Sequence, residues 1–133
     1  MDAESDLDPI LVIDDDPGVL FFLRLCLSRR GYRVDTAKNG EEGIKKIKAN
    51  GYSAVITDIK MDPLSGNQIL SYLRGIPGNA VPVIGMSGTP WFLDPEKFDA
   101  VLYKPCSVKD ILSVLHRVIE DSYLEGKKNR YGV

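Results

Sequence analysis

The chain has 133 residues, 44% of them hydrophobic and 27% charged, with a formal net charge of -2. That length holds one domain with a real core and no second folded module, and the composition excludes a disordered chain. Direct nucleic-acid binding is also disfavoured, because the one basic cluster, Lys127, Lys128 and Arg130, lies in the tail and forms no basic stripe.

The opening MDAESDLDP is acidic where a secretory signal would be basic and then apolar, and no apolar run approaches the roughly 20 residues that span a bilayer. A cytoplasmic protein with no membrane partner is expected. Short β-branched runs then alternate with longer stretches of helical period, the pattern of βαβ units around a parallel sheet buried on both faces. In chain order, strands are predicted at 10–14, 32–37, 54–58, 81–86 and 100–103. Helices are predicted at 17–30, 41–50, 65–76 and 108–121. Gly31 and Gly51 follow helices, Pro17 suits a first helical turn, and Asn39-Gly40 marks a turn. Between the fourth and fifth strands Pro90 and Pro95 bracket only four residues, so one or two turns around 95–98 are the most that segment can form. Residues 8–121 are expected to form the domain, with 1–7 and 122–133 as terminal tails. Cys26 and Cys106 read as packing residues, and a single histidine, His116, leaves a zinc site incomplete.

In an open parallel sheet, ligands bind outside the carboxyl ends of the strands. The first strand there ends in Asp14-Asp15-Asp16, the third in Asp58, the fourth runs into Ser87 and the fifth into Lys104-Pro105. Crowded carboxylates repel, and a hard divalent cation relieves them; Mg²⁺ suits an all-oxygen site completed by phosphate oxygens. A carboxylate beside that ion is placed to attack a phosphoryl donor, with an ammonium and a hydroxyl sharing the transferred oxygens. Asp16, directly before Pro17, reads better as a helix N-cap than as a ligand.

With these residues placed, the chain resembles the receiver domains of two-component response regulators over about residues 8–121. The stretches ILVIDDDPGVL, AVITDIKMDPLSG, PVIGMSG and YKPCS carry the resemblance. It implies an α/β fold, a five-stranded parallel sheet of the doubly wound flavodoxin-like kind in strand order 2-1-3-4-5. It implies Asp58 as phosphoacceptor, Mg²⁺ as cofactor, Asp15 as a direct metal ligand and Asp14 acting on the metal mainly through water. The Lys60 backbone carbonyl would be a further ligand, Ser87 would hydrogen-bond a phosphoryl oxygen, and Lys104 would pair with the phosphate across a cis bond to Pro105.

The departures from the family pattern also carry expectations. Asp62 separates Met61 from Pro63, and Ser65-Gly66 replaces the usual Asp-Gly, with loop length kept. Lys60 itself stands where its side chain could shield the phosphoryl group from hydrolysis or point into solvent. Val101 occupies the position of the usual switch aromatic, with Tyr103 two residues later. The short span from Ser87 to Lys104 predicts a shortened fourth helix, and with it no use of the usual dimer face.

The partners implied are a histidine kinase or histidine-phosphotransfer protein, and an unknown downstream protein reached by contact, as for a stand-alone regulator. On the first helix Val19, Leu20, Phe22, Leu23, Cys26 and Leu27 share a broad face expected to be buried, whereas Phe21 and Leu25 fall off it as a candidate donor-docking pair. Two other readings compete. A pseudoreceiver would keep the fold without phosphotransfer, although all the required side chains are present. A phosphatase of the haloacid dehalogenase type would explain Asp14-Asp15-Asp16 and Ser87 but gives no reason for Asp58. His116 is expected to be a bystander in solvent.

Overall fold

The computed structural model describes residues 7–88 and 97–130, with side chains described to residue 124. Strands β1 (Ile10–Ile13), β2 (Val34–Ala37), β3 (Ala54–Asp58), β4 (Val83–Ser87) and β5 (Ala100–Tyr103) alternate with helices α1 (Pro17–Ser28), α2 (Gly40–Ala49), α3 (Gly66–Arg74) and α4 (Val108–Arg130). The five strands are parallel in the order β2-β1-β3-β4-β5. This is the architecture expected from the alternation of short and long apolar patterns.

β1, β3 and β4 are buried at every residue, as strands covered on both faces must be. Strand alternation divides their side chains between two cores. Ile10, Val12, Ile56, Ile84, Met86 and Leu102 face one core, which α1 and α4 close with Leu23, Leu27, Ile111, Leu115 and Val118. Leu11, Ile13, Val55 and Val83 face the other, which α3 closes with Ile69, Leu70 and Leu73.

Several boundaries differ from the sequence reading for local reasons. Tyr32 is buried, but its N–H bonds to the Leu27 carbonyl at 3.2 Å. It thus belongs to the end of α1, and β2 starts at Val34. β4 starts after Pro82, which has no N–H to give a ladder. The tail expected from residue 122 is instead helical as far as Arg130: the segment holds no proline, and the good helix formers Leu124, Glu125, Lys127, Lys128 and Arg130 outweigh Gly126.

Phe22 is not on the buried face: it is 47% exposed and lines a cleft with Val19, Lys104, Pro105 and Cys106. It sits about 100° around α1 from Leu23, so it overhangs the edge of the core. Phe21 and Leu25 are exposed as expected.

Of the link between β4 and β5, residues 89–96 lie outside the described residues, and most of the turn expected at 95–98 falls there. The described residues 97–99 form a turn and bends without helix. Phe98 packs over Gly85, where an added Cβ would lie 3.1 Å from its ring and 2.9 Å from Ile59. Asp99 is held by Arg74 at the end of α3 and by the Val83 N–H, at 2.5 and 2.7 Å. One aromatic ring and one ion pair therefore anchor the start of β5. Val101 packs against the α3-side core, whereas Tyr103 is half exposed.

Candidate functional site

Each strand of the central group delivers one polar residue to the carboxyl edge. β1 leads into Asp14, whose N–H is still held by the Ala37 carbonyl of β2 at 3.1 Å, so its side chain is fixed and fully buried. β3 ends in Asp58, 8% exposed, and the ladder continues past it through the Ile59 N–H to the Met86 carbonyl at 3.0 Å. β4 ends in Ser87, also buried. Ser87 accepts the Lys104 N–H on its backbone carbonyl at 2.8 Å, which brings the residue after β5 to the same place. The Lys104–Pro105 bond is cis, as the resemblance implies; Asp62–Pro63 is also cis, which the sequence reading did not foresee.

Carboxylate oxygens of Asp14, Asp15 and Asp58 lie within 4.8 Å of one another. The Lys104 Nζ stands 3.5 Å from both Asp14 Oδ2 and Asp58 Oδ2. Burial pushes the Asp14 carboxyl above its ordinary pKa, and Asp58 adds to this; the Asp16 N–H, 2.9 Å from Asp14 Oδ1, and Lys104 pull the other way. Burial alone would lower the Lys104 pKa, but Asp14 and Asp58 outweigh it and raise it, so the ammonium keeps its charge.

Asp15 is exposed at the rim. Asp16 caps α1, its carboxylate accepting the Gly18 N–H at 2.8 Å. Lys60 directs an exposed side chain from the same edge. His116 is exposed on α4, 3.8 Å from Glu120.

The sequence reading missed the part played by Gly66. Its N–H closes the loop after Asp58 on the Ile59 carbonyl at 3.0 Å. A Cβ there would lie 2.6 Å from the Asp58 carbonyl oxygen and 3.0 Å from the Ile59 Cα, both backbone atoms. Only glycine lets α3 start this close to β3. The signal available in the sequence was the Ser65-Gly66 pair, with Ser65 and Gln68 forming a capping box.

A donor set made only of oxygens, with one carboxylate fully buried and its charged form disfavoured, fits a hard divalent cation.

Comparison with known proteins agrees with this geometry. The transcriptional regulatory protein GlrR of Escherichia coli (strain K12) is 36% identical over 81 residues, 60% of this chain; the chain spans 18% of the length of that relative. A response regulator receiver domain protein from Clostridium thermocellum is 30% identical with a TM-score of 0.80, over 89% of this chain and 98% of that one. TrrA of Thermotoga maritima, solved in complex with Mg²⁺ and BeF, is 28% identical with a TM-score of 0.76, over 84% of this chain and 98% of that one. The family model for the response regulator receiver domain matches residues 10–116, and the chain belongs to that family, the receiver domains of two-component signalling.

Proposed function

We propose that this receiver accepts a phosphoryl group on Asp58 from a phosphohistidine donor, a histidine kinase or histidine-phosphotransfer protein. The observation that carries this reading is Lys104 held 3.5 Å from both Asp14 and Asp58 beside a third carboxylate, on strand ends otherwise occupied by core residues. An Asp58 carboxylate oxygen forms the new bond to phosphorus as the phosphorus–nitrogen bond to the donor imidazole breaks, and the imidazole takes up a proton on leaving. Lys104 keeps its charge throughout and pairs with the incoming phosphoryl oxygens, while the Ser87 hydroxyl donates to another of them.

Asp15, Asp58 and the Lys60 carbonyl would hold Mg²⁺ directly, with Asp14 acting mainly through water. When bound, that ion supplies neutralisation of charge on the phosphoryl oxygens. The protein works as a phosphoacceptor and not as a turnover enzyme. Phe21 and Leu25 of α1 supply the donor-docking pair, and the signal leaves by contact with a downstream protein, in the cytoplasm. Among the described residues no helix is long and apolar enough to cross a membrane.

Intact mass after incubation with Mg²⁺ and a small phosphodonor tests the reading. One phosphoryl group per chain is expected on the wild type and none on Asp58→Asn. Labelling that survives in Asp58→Asn, or none in the wild type, overturns it.

A further inference from the structure

We propose that Phe98 is a positioning residue for the carboxyl-edge site: acting through Ile59, it fixes where the Asp58 carboxylate and the Lys60 carbonyl stand. The proposal rests on the reading of those two groups as direct Mg²⁺ ligands. Ile59 is the residue between them, and it is 1% exposed. A shift of its backbone moves both groups together.

The sheet holds Ile59 from one side only. β1 pairs with β3 as far as Thr57, and β4 pairs with it as far as Asp58. Beyond that a single ladder bond continues, from the Ile59 N–H to the Met86 carbonyl at 3.0 Å. The Ile59 carbonyl accepts the Gly66 N–H at 3.0 Å, a bond to the start of α3 and not to a strand. Side-chain packing must therefore supply the restraint that a second neighbouring strand gives to the residues before it.

Two glycines and one ring supply it. A Cβ on Gly66 would lie 3.1 Å from Ile59 Cδ1, and one on Gly85 would lie 2.9 Å from the same atom. The Ile59 side chain thus uses space that both glycines leave open. Phe98 closes the Gly85 side: its Cδ1 and Cε1 would each lie 3.1 Å from that same Cβ, and the ring is buried in the α3-side core with Ile59. Phe98 is itself placed from outside the site. The Asp99 N–H bonds to the Val83 carbonyl at 3.0 Å, and the Asp99 carboxylate accepts from Arg74 and from the Val83 N–H.

A smaller side chain at position 98 leaves a void beside the Ile59 methyl, and the surroundings of such a void relax into it in part. Asp14 and Asp15 follow β1 and do not move with Ile59. The ligands are then all present but out of register with one another. Mg²⁺ demands near-ideal geometry, so that misplacement is read as lost affinity.

Amide NMR of the whole chain titrated with MgCl₂ alone tests the proposal. Phe98→Leu should bind Mg²⁺ roughly tenfold more weakly than wild type, the low end for a group that supports a ligand from behind. Phe98→Met, unbranched and able to fill the gap, should recover most of the affinity. The Ile59 Cδ1 methyl, shifted upfield by the ring in the wild type, should return toward its ordinary position in Phe98→Leu. Gly85→Ala presses on Ile59 and Phe98 together and should weaken binding too, with an effect that is not additive to that of Phe98→Leu. Leu115→Val thins the other core and should lower stability without changing Mg²⁺ affinity. A wild type that binds no Mg²⁺, an affinity unchanged in Phe98→Leu, or one lowered equally by Leu115→Val overturns the proposal. No phosphodonor enters this titration, so a wild type that binds Mg²⁺ but takes no label on Asp58 ends the phosphoacceptor reading and leaves the positioning role standing.

Discussion

The two edges of the sheet are built from the same strands but share no chemistry. At the amino edge, a groove of about 470 Å³ opens among Leu7, Tyr52, Ser53, Asn79, Pro82 and Ile119, and no charged side chain lines it. At the carboxyl edge, the cleft beside α1 is of similar size, about 420 Å³, and is lined by Asp16 and by Lys104, whose ammonium pairs with Asp14 and Asp58. Open volume therefore does not locate the site. Charged groups held at the strand ends do, because burial makes each of them costly unless a partner or ligand offsets it.

Substitutions at the two edges should separate in the same way. The largest effect is expected from Asp58→Asn, with complete loss of phosphoryl labelling by intact mass and little change in stability. Lys104→Ala comes next. It removes an ammonium held 3.5 Å from both Asp14 and Asp58, and the labelling rate should fall roughly a hundred- to a thousandfold, as when one donor to a developing anion is lost. Stopped labelling time courses with a small phosphodonor would measure it.

Gly66→Ala tests whether the α3 start supports this edge. With backbone atoms at 2.6 and 3.0 Å from the new Cβ, the loop must shift, and urea unfolding should show a loss of about 2 kcal/mol. At the amino edge, Ser53→Ala removes the 2.6 Å hydrogen bond from its hydroxyl to the Asp8 carbonyl. That should cost about 1 kcal/mol and leave the labelling rate at the wild-type value. A changed rate would break the separation of the edges.

The smallest effect is expected at Asp35 on β2. Its burial would raise its pKa, but Tyr52 at 2.7 Å and Lys46 at 3.0 Å prevail and hold the carboxyl below its ordinary value. A folded-state pKa below the unfolded one gives stability that is present above the unfolded value, near pH 4, and lost as pH falls through the folded value. Asp35 is partly exposed, so solvent screening keeps the gain to about 1 kcal/mol or less. Wild type should therefore exceed Asp35→Asn in urea midpoint at pH 7, and the difference should narrow below pH 4.

Much of this arrangement was legible before any coordinates. The alternation of β-branched runs with helical periods gave the five strands and the four helices, since a strand buried on both faces and a helix with one buried stripe leave different patterns. Asp14, Asp15, Asp58, Ser87 and Lys104 were legible as a group because strand ends of a parallel sheet share one edge whatever the loops do. Asp16 before Pro17 was legible as a cap for an equally local reason. Element ends were read less well: Tyr32 looked like strand but is held by the end of α1, and 122–130 looked like a tail but continues α4.

What the sequence by itself determined is the fold class, the edge that carries the chemistry and the residue types there, because all three follow from local pattern and from parallel topology. Only the tertiary structure decided that Asp14 is the fully buried carboxylate, that Lys104 is shared between Asp14 and Asp58, and that Gly66 must be small to let α3 approach. It alone decided that Phe22 overhangs a cleft while Phe98 packs over Gly85. These are distances between segments far apart in the chain, set by how helices pack on the sheet, and no local spacing encodes them.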